Sequence, residues 1–380
     1  MCTHSPPPRL PSDADLTLNR NIFIETALGY ALTYITSLTK RSISSTSITI
    51  LADNDYYSTP PSTTNGHAST KRFHNYGVPI DKAHKTGLGS SAALVTAFTA
   101  ALLTYYLPKS VCDITTEQGQ RRLHNLAQIS HCAAQGKVGS GFDIATAVYG
   151  SCLYRRFSPS ILANSADPGS KGFTTALRGL IEETGSAGKW DTEIHGDAVK
   201  IPAGLRLVMC DVSCGSKTPG MVKKVLAWRK ERPEEADAIW ADLHQANESL
   251  ARELKAMAEK QDFGLERLRT CFTRIRRGIR LMSEVSGVPI EPPSQTKLID
   301  ACEALPGVVG GVVPGAGGYD AITLLIEDKA ETVAALEELL AGWEFKGEDV
   351  EGGGKVGMLG VREEIEGVKV GRVRDYEAWL

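Results

Sequence analysis

Two glycines and two serines precede a long apolar segment, in the order Lys85-Thr86-Gly87-Leu88-Gly89-Ser90-Ser91-Ala92-Ala93. Glycine has no Cβ, so the backbone at Gly87 and Gly89 can turn tightly and approach a ligand closely. Ser90 and Ser91 stand at the predicted start of a helix, where their hydroxyls can cap the helix or bind a phosphate or a magnesium ion. The free N–H groups and positive dipole end of such a helix favour an anion. The composition is typical of a phosphate-binding loop, although an ordinary Gly-Ser turn that caps a core helix has the same residues.

A carboxylate follows a second glycine-flanked serine, in Gly139-Ser140-Gly141-Phe142-Asp143. The spacing places Asp143 at the expected start of another helix. A phosphoryl acceptor needs its nucleophilic oxygen to be oriented, and where necessary deprotonated, by such a group. From these residues alone, Asp143 is also explained as an acidic side chain that stabilises the positive end of a helix.

Two further sets of residues suit an anionic small molecule. Arg274, Arg276, Arg277 and Arg280 lie on one predicted helix. Guanidinium forks match phosphate geometry, but a solvated basic helix face is the alternative. The segment Pro314-Gly315-Ala316-Gly317-Gly318-Tyr319-Asp320 joins two apolar strand candidates. Its small residues let backbone amides approach a ligand, although a bare hairpin turn would look the same.

The composition indicates a globular protein that acts on small molecules. The chain has 380 residues, of which 42% are hydrophobic, and a formal net charge of -3. That length favours two domains, and the slight acidic excess argues against nucleic-acid or membrane-surface binding. Eight cysteines are scattered without a Cys-x-x-Cys pair, so neither a zinc site nor a disulfide framework is expected. No signal peptide or membrane-spanning apolar segment is visible, which predicts a cytoplasmic protein.

The hydrophobic periodicity predicts an α+β protein in which an antiparallel sheet packs on helices. Helices are predicted at residues 19–38, 90–107, 117–135, 217–230, 234–259, 263–286, 294–304 and 329–341. Strands are predicted at residues 149–157, 205–212, 308–313 and 320–326. Residues 158–200 are rich in Gly and Ser and are predicted to form loops with one or two short strands. Residues 1–18, rich in Pro and polar groups, are predicted to be a disordered lead-in.

Residues 87–93, Gly-Leu-Gly-Ser-Ser-Ala-Ala, are similar to the central motif of the GHMP kinases, which bind the phosphates of ATP on this loop. Within that superfamily, residues 124–151, 154–159, 286–300 and 313–322 resemble segments of the phosphomevalonate kinase family, in the same order. Members of this family also have a lysine at the position of Lys85. The sequence has His84-Lys85-Thr86 where many GHMP kinases carry a proline. The resemblance extends from about Asn21 to about Ile326.

The resemblance implies a two-lobe GHMP kinase fold. A lobe like domain 2 of ribosomal protein S5, incomplete at its N-terminus, is expected over residues 19–200, and a ferredoxin-like lobe over residues 201–380. The implied activity is ATP-dependent phosphotransfer with Mg²⁺ as cofactor and 5-phosphomevalonate as the small-molecule acceptor, without a nucleic-acid or membrane partner. Mevalonate kinase, or another GHMP small-molecule kinase, is the runner-up.

The resemblance also implies roles for individual residues. Asp143 and Lys85 are the expected catalytic residues, with Asp143 at the position of the carboxylate that activates the acceptor. The residues expected to bind the ATP phosphates are Gly87, Leu88, Gly89, Ser90, Ser91 and Ala92, and Ser90 or Ser91 is expected to ligate Mg²⁺. The expected substrate-binding residues are Ser140, Gly141, Ser213, Arg277 and Gln295. The third motif comprises Gly315, Ala316, Gly317 and Gly318.

The sequence departs from the family pattern at two places. The Pro-Gly-Lys segment near the start of GHMP kinases is missing, since the near match Pro168-Gly169-Ser170-Lys171 comes after Asp143. We therefore expect either a truncated product or a variant that works without the segment, and a catalytically inactive fragment that binds nucleotide or a partner is the alternative function. Some relatives also carry a glutamate before the Asp motif. Residues 118–142 contain no Asp or Glu, and His131 and Gln135 lie near that place.

Overall fold

The computed structural model describes residues 20–39, 42–57, 73, 83, 85–163, 168–184, 189–196, 199–212, 218–260, 264–345 and 355–379. The predicted lead-in and the predicted substrate residue Ser213 lie outside these residues. The helices are α1 (Ile22–Leu38), α2 (Ser90–Tyr106), α3 (Glu117–Gln135), α4 (Phe142–Tyr149), α5 (Ser160–Ala163), α6 (Phe173–Glu182), α7 (Thr218–Glu231), α8 (Pro233–Lys260), α9 (Leu265–Ser286), α10 (Pro293–Glu303) and α11 (Ala330–Ala341). The strands are β1 (Leu153–Arg155), β2 (Glu193–His195), β3 (Leu205–Val212), β4 (Val308–Val312), β5 (Ala321–Glu327) and β6 (Val356–Met358). No helix in the described part of the chain has the length and apolar run that crossing a lipid bilayer takes.

Side chains that cap the first turn determine where α1 and α3 begin. The Asn21 carboxamide oxygen accepts hydrogen bonds from two backbone N–H groups of α1, at 3.1 and 3.3 Å. The Thr116 hydroxyl accepts one from the Gly119 N–H group at 3.1 Å, and α3 stops at Gly136, where φ is 65°. These contacts satisfy backbone groups that a helix end leaves without a partner. Both ends of α3 therefore lie where the sequence predicts them.

Helices build the first core, in residues 27–190. Helices α1, α2 and α3 pack against one another, and α4 and α6 close the cluster. Its largest fully buried side chains are Tyr34, Ile35, Leu103, Leu123, Leu126, Ile144, Phe157 and Ile181. Strands β1 and β2 form a short antiparallel pair beside this core, with Tyr154 opposite Ile194. The core thus fixes α2, α3 and α4 relative to one another.

An antiparallel sheet of four strands lies between two layers of helices in residues 205–358. Its strand order is β4-β5-β3-β6, and Cys210 of β3 lies opposite Ile322 of β5. One face buries Cys210 and Ile322 with residues of α10 and α11. The other face packs on α8 and α9, where Leu325 contacts the cluster around Leu268 and Phe272. The predicted α+β architecture, an antiparallel sheet packed on helices, is confirmed.

Two predictions about local structure were wrong. The predicted strand at residues 149–157 is shorter, because Tyr149 still belongs to α4 and pairing covers only Leu153–Arg155. Residues 158–200, predicted to be loops with one or two short strands, contain one such strand, β2, but also two helices that were not predicted, the four-residue α5 and the longer α6. This helix follows Gly172, where φ is 94°, and buries Leu177, Leu180 and Ile181 on one face. The Gly and Ser residues around it masked that short amphipathic pattern.

The C-terminal segment connects the two parts of the structure. After β6, the Leu359 N–H group donates to the Met209 carbonyl of β3 at 2.9 Å. The chain then reaches α4, where the Ser151 N–H group donates to the Glu364 carbonyl at 2.9 Å. The two backbones approach so closely that a Cβ on Gly150 would lie 2.2 Å from the Ile365 oxygen. This contact fixes the C-terminal end of α4. The predicted lobe boundary near residue 200 stays a prediction.

Candidate active site

The N-terminus of α2 leaves backbone donors accessible. Gly89 directly precedes the helix with φ of 78°, in the left-handed region that favours glycine. Among the described residues no side chain caps this end, so the first N–H groups and the positive end of the helix dipole are left for a ligand. Ser90 and Ser91, both half-buried, add two hydroxyls in the first turn. The arrangement can bind a phosphate group.

The backbone of residues 55–57 holds Lys85 beside this helix end. Thr86 is buried, and its N–H group donates to the Tyr56 carbonyl at 3.2 Å. The Thr86 hydroxyl donates to the Asp55 carbonyl at 2.7 Å. Lys85 itself is exposed and forms an antiparallel bridge with Tyr57. The structure therefore fixes the backbone of Lys85 and leaves its ammonium group accessible.

Two cavities meet at the start of α2. The first, of about 560 Å³, is lined by polar and charged residues that include Arg20, Asn21, Tyr57, Lys85, Ser90 and Ser91. The second, of about 530 Å³, is lined mainly by aliphatic and aromatic residues that include Ile50, Leu51, Tyr56, Tyr57, Phe73, Leu94, Val373 and Tyr376. Ser90, Leu94 and Tyr57 line both. One side of the helix end thus offers Lys85 and two serine hydroxyls, with Arg20 paired to Glu25 at 2.7 Å in the same cavity, and the other side offers aromatic surface.

Asp143 lies against the phosphate loop. It stands in the first turn of α4, and a Cβ added to Gly89 would lie 3.6 Å from the Asp143 Cβ. One carboxylate oxygen, Oδ1, accepts the Ile144 N–H group at 2.9 Å. The side chain keeps 25% of its surface exposed. Packing of α4 on α2 thus brings an oriented, accessible carboxylate beside the glycine loop.

A buried histidine connects Ser91 with Asp143. Nε2 of His131, on α3, lies 3.1 Å from Ser91 Oγ, and Nδ1 lies 3.9 Å from Asp143 Oδ2. The ring centroid is 5.4 Å from that of Phe23 on α1. Burial lowers the pKa of His131 below its usual value, although the Asp143 carboxylate acts in the opposite direction. The imidazole is therefore neutral near pH 7.

Tyr154 and Arg156 brace the loop that carries Asp143. The Tyr154 hydroxyl donates to the Ser140 carbonyl at 3.0 Å, and Arg156 donates to the Val138 carbonyl at 3.1 Å. Burial raises the pKa of Tyr154 to about 12, so its phenol stays a donor at physiological pH. Gly141 has φ of 84°, and a Cβ there would lie 2.6 Å from the Tyr154 hydroxyl. In the sequence, residues 154–159 stand out only by their resemblance to a segment of the family. In the structure, Tyr154 and Arg156 of this segment position the loop before Asp143.

The third glycine motif forms the turn between β4 and β5. The Gly318 N–H group donates to the Ile290 carbonyl at 2.8 Å, and a Cβ on Gly317 would lie 2.4 Å from the same oxygen. Gln295 is fully buried and donates through Nε2 to the Tyr319 carbonyl at 2.8 Å. Gln295 therefore holds the turn against α10. Contact of Gln295 with a substrate stays a prediction.

The arginines of α9 have different environments. Arg276 is 3% exposed and pairs with Glu291, Asp300 and Glu303 at 2.8, 2.7 and 2.9 Å. Arg277 is exposed. Consecutive residues of a helix point about 100° apart, which separates a structural guanidinium from one that solvent or a ligand can reach. A role of Arg277 in substrate binding stays a prediction.

The oxygen donors at the start of α2 and α4 are of a kind that could hold a magnesium ion. Within the described ranges, no group of three His, Cys, Asp or Glu side chains is arranged to hold a metal ion. The hydroxyls of Ser90 and Ser91 and the Asp143 carboxylate are hard oxygen ligands of the kind that Mg²⁺ prefers. With a nucleotide, Mg²⁺ takes few protein ligands and is bound mainly by phosphates and water.

Sequence reasoning missed His131 as a connecting group. Its signal was present in α3, where five polar residues are buried: His124, Asn125, Gln128, Ser130 and His131. Buried polar side chains need hydrogen-bond partners, so such a density marks a helix that contacts other polar groups. Arg20, which lines the polar cavity beside Lys85, was also missed because it precedes the predicted motifs by about 65 residues of sequence.

Comparison with known proteins gives consistent matches. A model of the GHMP kinases N terminal domain matches residues 73–151, and a model of the GHMP kinases C terminal matches residues 264–344. The chain is 51% identical over 369 residues to phosphomevalonate kinase erg8 of Aspergillus fumigatus, covering 95% of this chain and 76% of the relative. It is 49% identical over 367 residues to phosphomevalonate kinase ERG8 of Gibberella zeae, covering 96% and 79%.

A solved structure supports the fold. The Lin0012 protein from Listeria innocua superposes with a TM-score of 0.57 at 19% identity, covering 93% of this chain and 84% of that one. This likeness shows the fold alone, whereas the sequence identities above show the family. The chain belongs to the phosphomevalonate kinase family of the GHMP kinases.

Proposed function

We propose that this protein is a phosphomevalonate kinase, which transfers the γ-phosphoryl group of ATP to (R)-5-phosphomevalonate and gives ADP and (R)-5-diphosphomevalonate. This reaction belongs to the mevalonate pathway, which supplies isopentenyl diphosphate for isoprenoids and sterols. The observation that carries the proposal is the proximity of Asp143 to Gly89 of the phosphate loop, where an added Cβ would lie 3.6 Å from the Asp143 Cβ, in a chain 51% identical to a phosphomevalonate kinase.

ATP binds across the N-terminus of α2. Its phosphates take the polar cavity, where the helix N–H groups, Ser90, Ser91 and Lys85 supply donors and positive charge. Its base takes the neighbouring cavity, where Phe73 and Tyr376 offer aromatic surface with ring centroids 6.4 Å apart. The two cavities share Ser90, so one ligand can occupy both.

Mg²⁺ accompanies the nucleotide. Ser90 or Ser91 would supply a hydroxyl ligand to the ion. When bound, the ion neutralises the charge that builds up on the phosphate oxygens. Replacing Mg²⁺ by calcium, or chelating it with EDTA, tests this requirement. We expect turnover to be lost without Mg²⁺ and to recover when Mg²⁺ is restored.

Asp143 orients the acceptor phosphate. The carboxylate takes the proton that remains on the attacking oxygen. That oxygen forms a bond to the γ-phosphorus, and the bond from this phosphorus to the bridging oxygen breaks, so that ADP leaves with the electron pair. Lys85, exposed at the cavity, stabilises the charge on the transferring group.

The acceptor lies beyond Asp143, on the side of the loop that carries Ser140. Ser140 is exposed and Gly141 is buried against Tyr154. Arg277 and Ser213 are the further residues that we assign to the anionic acceptor. The Gly315–Gly318 turn is a further segment that we assign to support of the phosphate loop.

The experiment that tests the function compares two acceptors. ADP release is measured with 5-phosphomevalonate and with mevalonate, and the product is identified by ³¹P NMR. We expect turnover with 5-phosphomevalonate and a diphosphate product. Faster turnover with mevalonate would instead identify a mevalonate kinase, and ATP binding without turnover of either acceptor would identify a nucleotide-binding protein.

A cytoplasmic location is part of the proposal. The expected substrate and product are small anionic metabolites that do not cross membranes freely, so the enzyme needs to share a compartment with the neighbouring reactions. Fluorescence microscopy of the tagged native chain tests it, and a punctate organellar pattern would contradict it.

A further inference from the structure

His131 occupies the gap between the group that would meet the nucleotide and the group that would meet the acceptor. Its side chain is 3% exposed and lies between Ser91 and Asp143. It reaches them from α3, whereas Ser91 belongs to α2 and Asp143 to α4. Nε2 lies within hydrogen-bond distance of Ser91 Oγ, at 3.1 Å, and Nδ1 lies 3.9 Å from Asp143 Oδ2.

The surroundings of His131 determine which nitrogen carries the proton. A neutral imidazole has one N–H donor and one acceptor nitrogen. The side-chain amide nitrogen of Gln135, which can only donate, lies 3.3 Å from Nε2, so Nε2 is the acceptor and the proton is on Nδ1, which faces Asp143 Oδ2 at 3.9 Å, beyond hydrogen-bond distance. Nε2 then accepts from the Ser91 hydroxyl at 3.1 Å, and the Gln135 amide nitrogen at 3.3 Å faces the same acceptor.

This tautomer has a consequence for Ser91. A serine hydroxyl has one proton and two lone pairs, and an oxygen that ligates a cation must present a lone pair to it. When His131 Nε2 accepts the proton, that proton points away from the cavity and the lone pairs are left for the ligand. At Asp143, Oδ1 is held by the Ile144 N–H group at 2.9 Å, and Oδ2 is left facing His131 Nδ1 at 3.9 Å.

We propose that His131 is a positioning residue that accepts the Ser91 hydroxyl proton and faces Asp143 with its other nitrogen, so that one imidazole orients the Ser91 oxygen for the Mg²⁺–nucleotide complex beside the carboxylate that meets the acceptor. The inference rests on the proposed function. It assigns no metal bond to His131 itself, because Nε2 already faces Ser91 and Gln135 and the ring is buried beside Phe23. It also assigns a function to His131, which lies near the place where some relatives carry a glutamate and this chain does not.

Three substitutions distinguish the contact of Nε2 with Ser91 from the position of Nδ1 beside Asp143. His131→Phe keeps a buried ring beside Phe23 and removes both nitrogens. His131→Gln can place an amide oxygen near the position of Nε2 and so accept from Ser91. His131→Asn places its amide near the position of Nδ1, which can face Asp143 but is too short to reach Ser91. The control is His124→Phe, since His124 is buried on the same helix but packs on Tyr149 and Trp190.

The measured quantity is the gain in affinity that Mg²⁺ gives to a nucleotide. Calorimetric titration with the non-hydrolysable analogue AMP-PNP, with and without Mg²⁺, gives this gain as a ratio of Kd values. Outer residues that orient a metal ligand are typically worth ~10–100-fold in metal affinity or activity. We expect His131→Phe to reduce the gain by about that factor, with AMP-PNP affinity in the absence of metal within ~2-fold of the parent chain. His131→Gln should recover most of the gain and His131→Asn little of it, while His124→Phe should keep it in full.

Steady-state kinetics give the second readout. His131→Phe should lower kcat by ~10–100-fold with little change in the KM of the acceptor. A folded His131→Phe variant with an unchanged Mg²⁺ gain and unchanged kcat would overturn the inference while leaving the kinase function intact. If that variant does not fold, equal Mg²⁺ gains in His131→Gln and His131→Asn would overturn it. A parent chain that binds AMP-PNP no better with Mg²⁺ than without it would overturn the proposed nucleotide site, and the inference with it.

Discussion

A Cβ on Gly89 would lie 3.6 Å from the Cβ of Asp143. The backbone of the phosphate loop and the carboxylate are therefore neighbours with no loop side chain between them. Phosphoryl transfer needs its donor and acceptor groups in near-attack contact. The proposed reaction meets this requirement if the acceptor lies beside Asp143 while the nucleotide phosphates lie on the loop.

The first prediction concerns Gly89 itself. Gly89→Val puts a branched side chain against Asp143 and into the space of the phosphates, at a residue whose φ is 78°. We expect the affinity for Mg²⁺–ATP to fall by more than ~10-fold, about 1.4 kcal/mol or more. The control is Gly136→Val, because Gly136 has φ of 65° and open space around it. Both variants should lose ~1–2 kcal/mol of stability from the left-handed backbone, and calorimetry should show weaker ATP binding in Gly89→Val alone.

The second prediction concerns the loop before Asp143. A Cβ on Gly141 would lie 2.6 Å from both the Tyr154 hydroxyl and Gln128 Oε1, whereas on Gly139 the nearest atom is 3.6 Å away. Gly141→Ala must therefore shift the loop, and a misplacement near 1 Å can cost ~10²-fold in rate. We expect kcat to drop by ~10–10²-fold in Gly141→Ala and to change little in Gly139→Ala. Equal kcat values in the two variants would show that the loop geometry does not position Asp143.

The third prediction separates two adjacent arginines. Arg276→Met leaves the buried carboxylate of Glu291 without its partner at 2.8 Å, and breaking such a buried pair typically costs ~3–5 kcal/mol. Arg277 is exposed, so Arg277→Met should change stability by no more than ~0.5 kcal/mol. If Arg277 binds the acceptor phosphate, its loss should raise the KM for 5-phosphomevalonate by ~10-fold or more. Urea unfolding and steady-state kinetics on both variants check the two outcomes, and an unchanged KM in Arg277→Met would remove it from the substrate site.

The fourth prediction concerns the pH dependence of stability. Burial lowers the pKa of His124 to about 4 from a usual 6.5, against a smaller opposite effect of its hydrogen bond with Asn125. Between these values the unfolded chain binds more protons than the folded one, so the free energy of unfolding falls as pH falls from 6.5 to 4. The full decrease in the free energy of unfolding from this group is about 3 kcal/mol. Urea titrations from pH 7 to 4.5 should show a shallower decline in His124→Phe than in the parent chain. Parallel curves would contradict the buried neutral histidine.

Much of the site could be predicted because its signals are local. The loop at residues 87–92 is a contiguous segment whose glycines and serines have a clear physical use. The bounds of α3 and β3 follow from a cap, a terminal glycine and a run of apolar residues, and both elements have the predicted ends. The sheet order, in contrast, depends on which strands meet in space.

The rest could not be predicted because it depends on side-chain direction and on contacts between distant segments. Arg276 and Arg277 are chemically identical, and only the rotation of α9 against its neighbours buries one and exposes the other. The role of His131 follows from tertiary packing, because α2 and α4 pack on α3 and bring Ser91 and Asp143 to its two nitrogens. Periodicity places a residue on a helix face but does not tell what lies opposite that face.

The Asp143→Asn variant tests the central claim, that Asp143 activates the acceptor beside the phosphate loop. Asparagine keeps the size of the side chain and an oxygen that can accept the Ile144 N–H group, now at 2.9 Å from Oδ1, but it has no charge. If Asp143 is only an acidic residue at a helix start, the variant should lose up to ~1 kcal/mol of stability and keep its turnover.

The decisive measurement is kcat of Asp143→Asn with saturating Mg²⁺–ATP and 5-phosphomevalonate, taken with the melting temperature and ATP affinity on the same preparation. We predict that kcat falls by ~10²–10⁴-fold, the usual share of a positioned acid–base group, while ATP affinity changes by less than ~2-fold because the nucleotide is bound mainly by the start of α2. A folded variant that binds ATP and turns over at close to the parental kcat would contradict the catalytic role of Asp143.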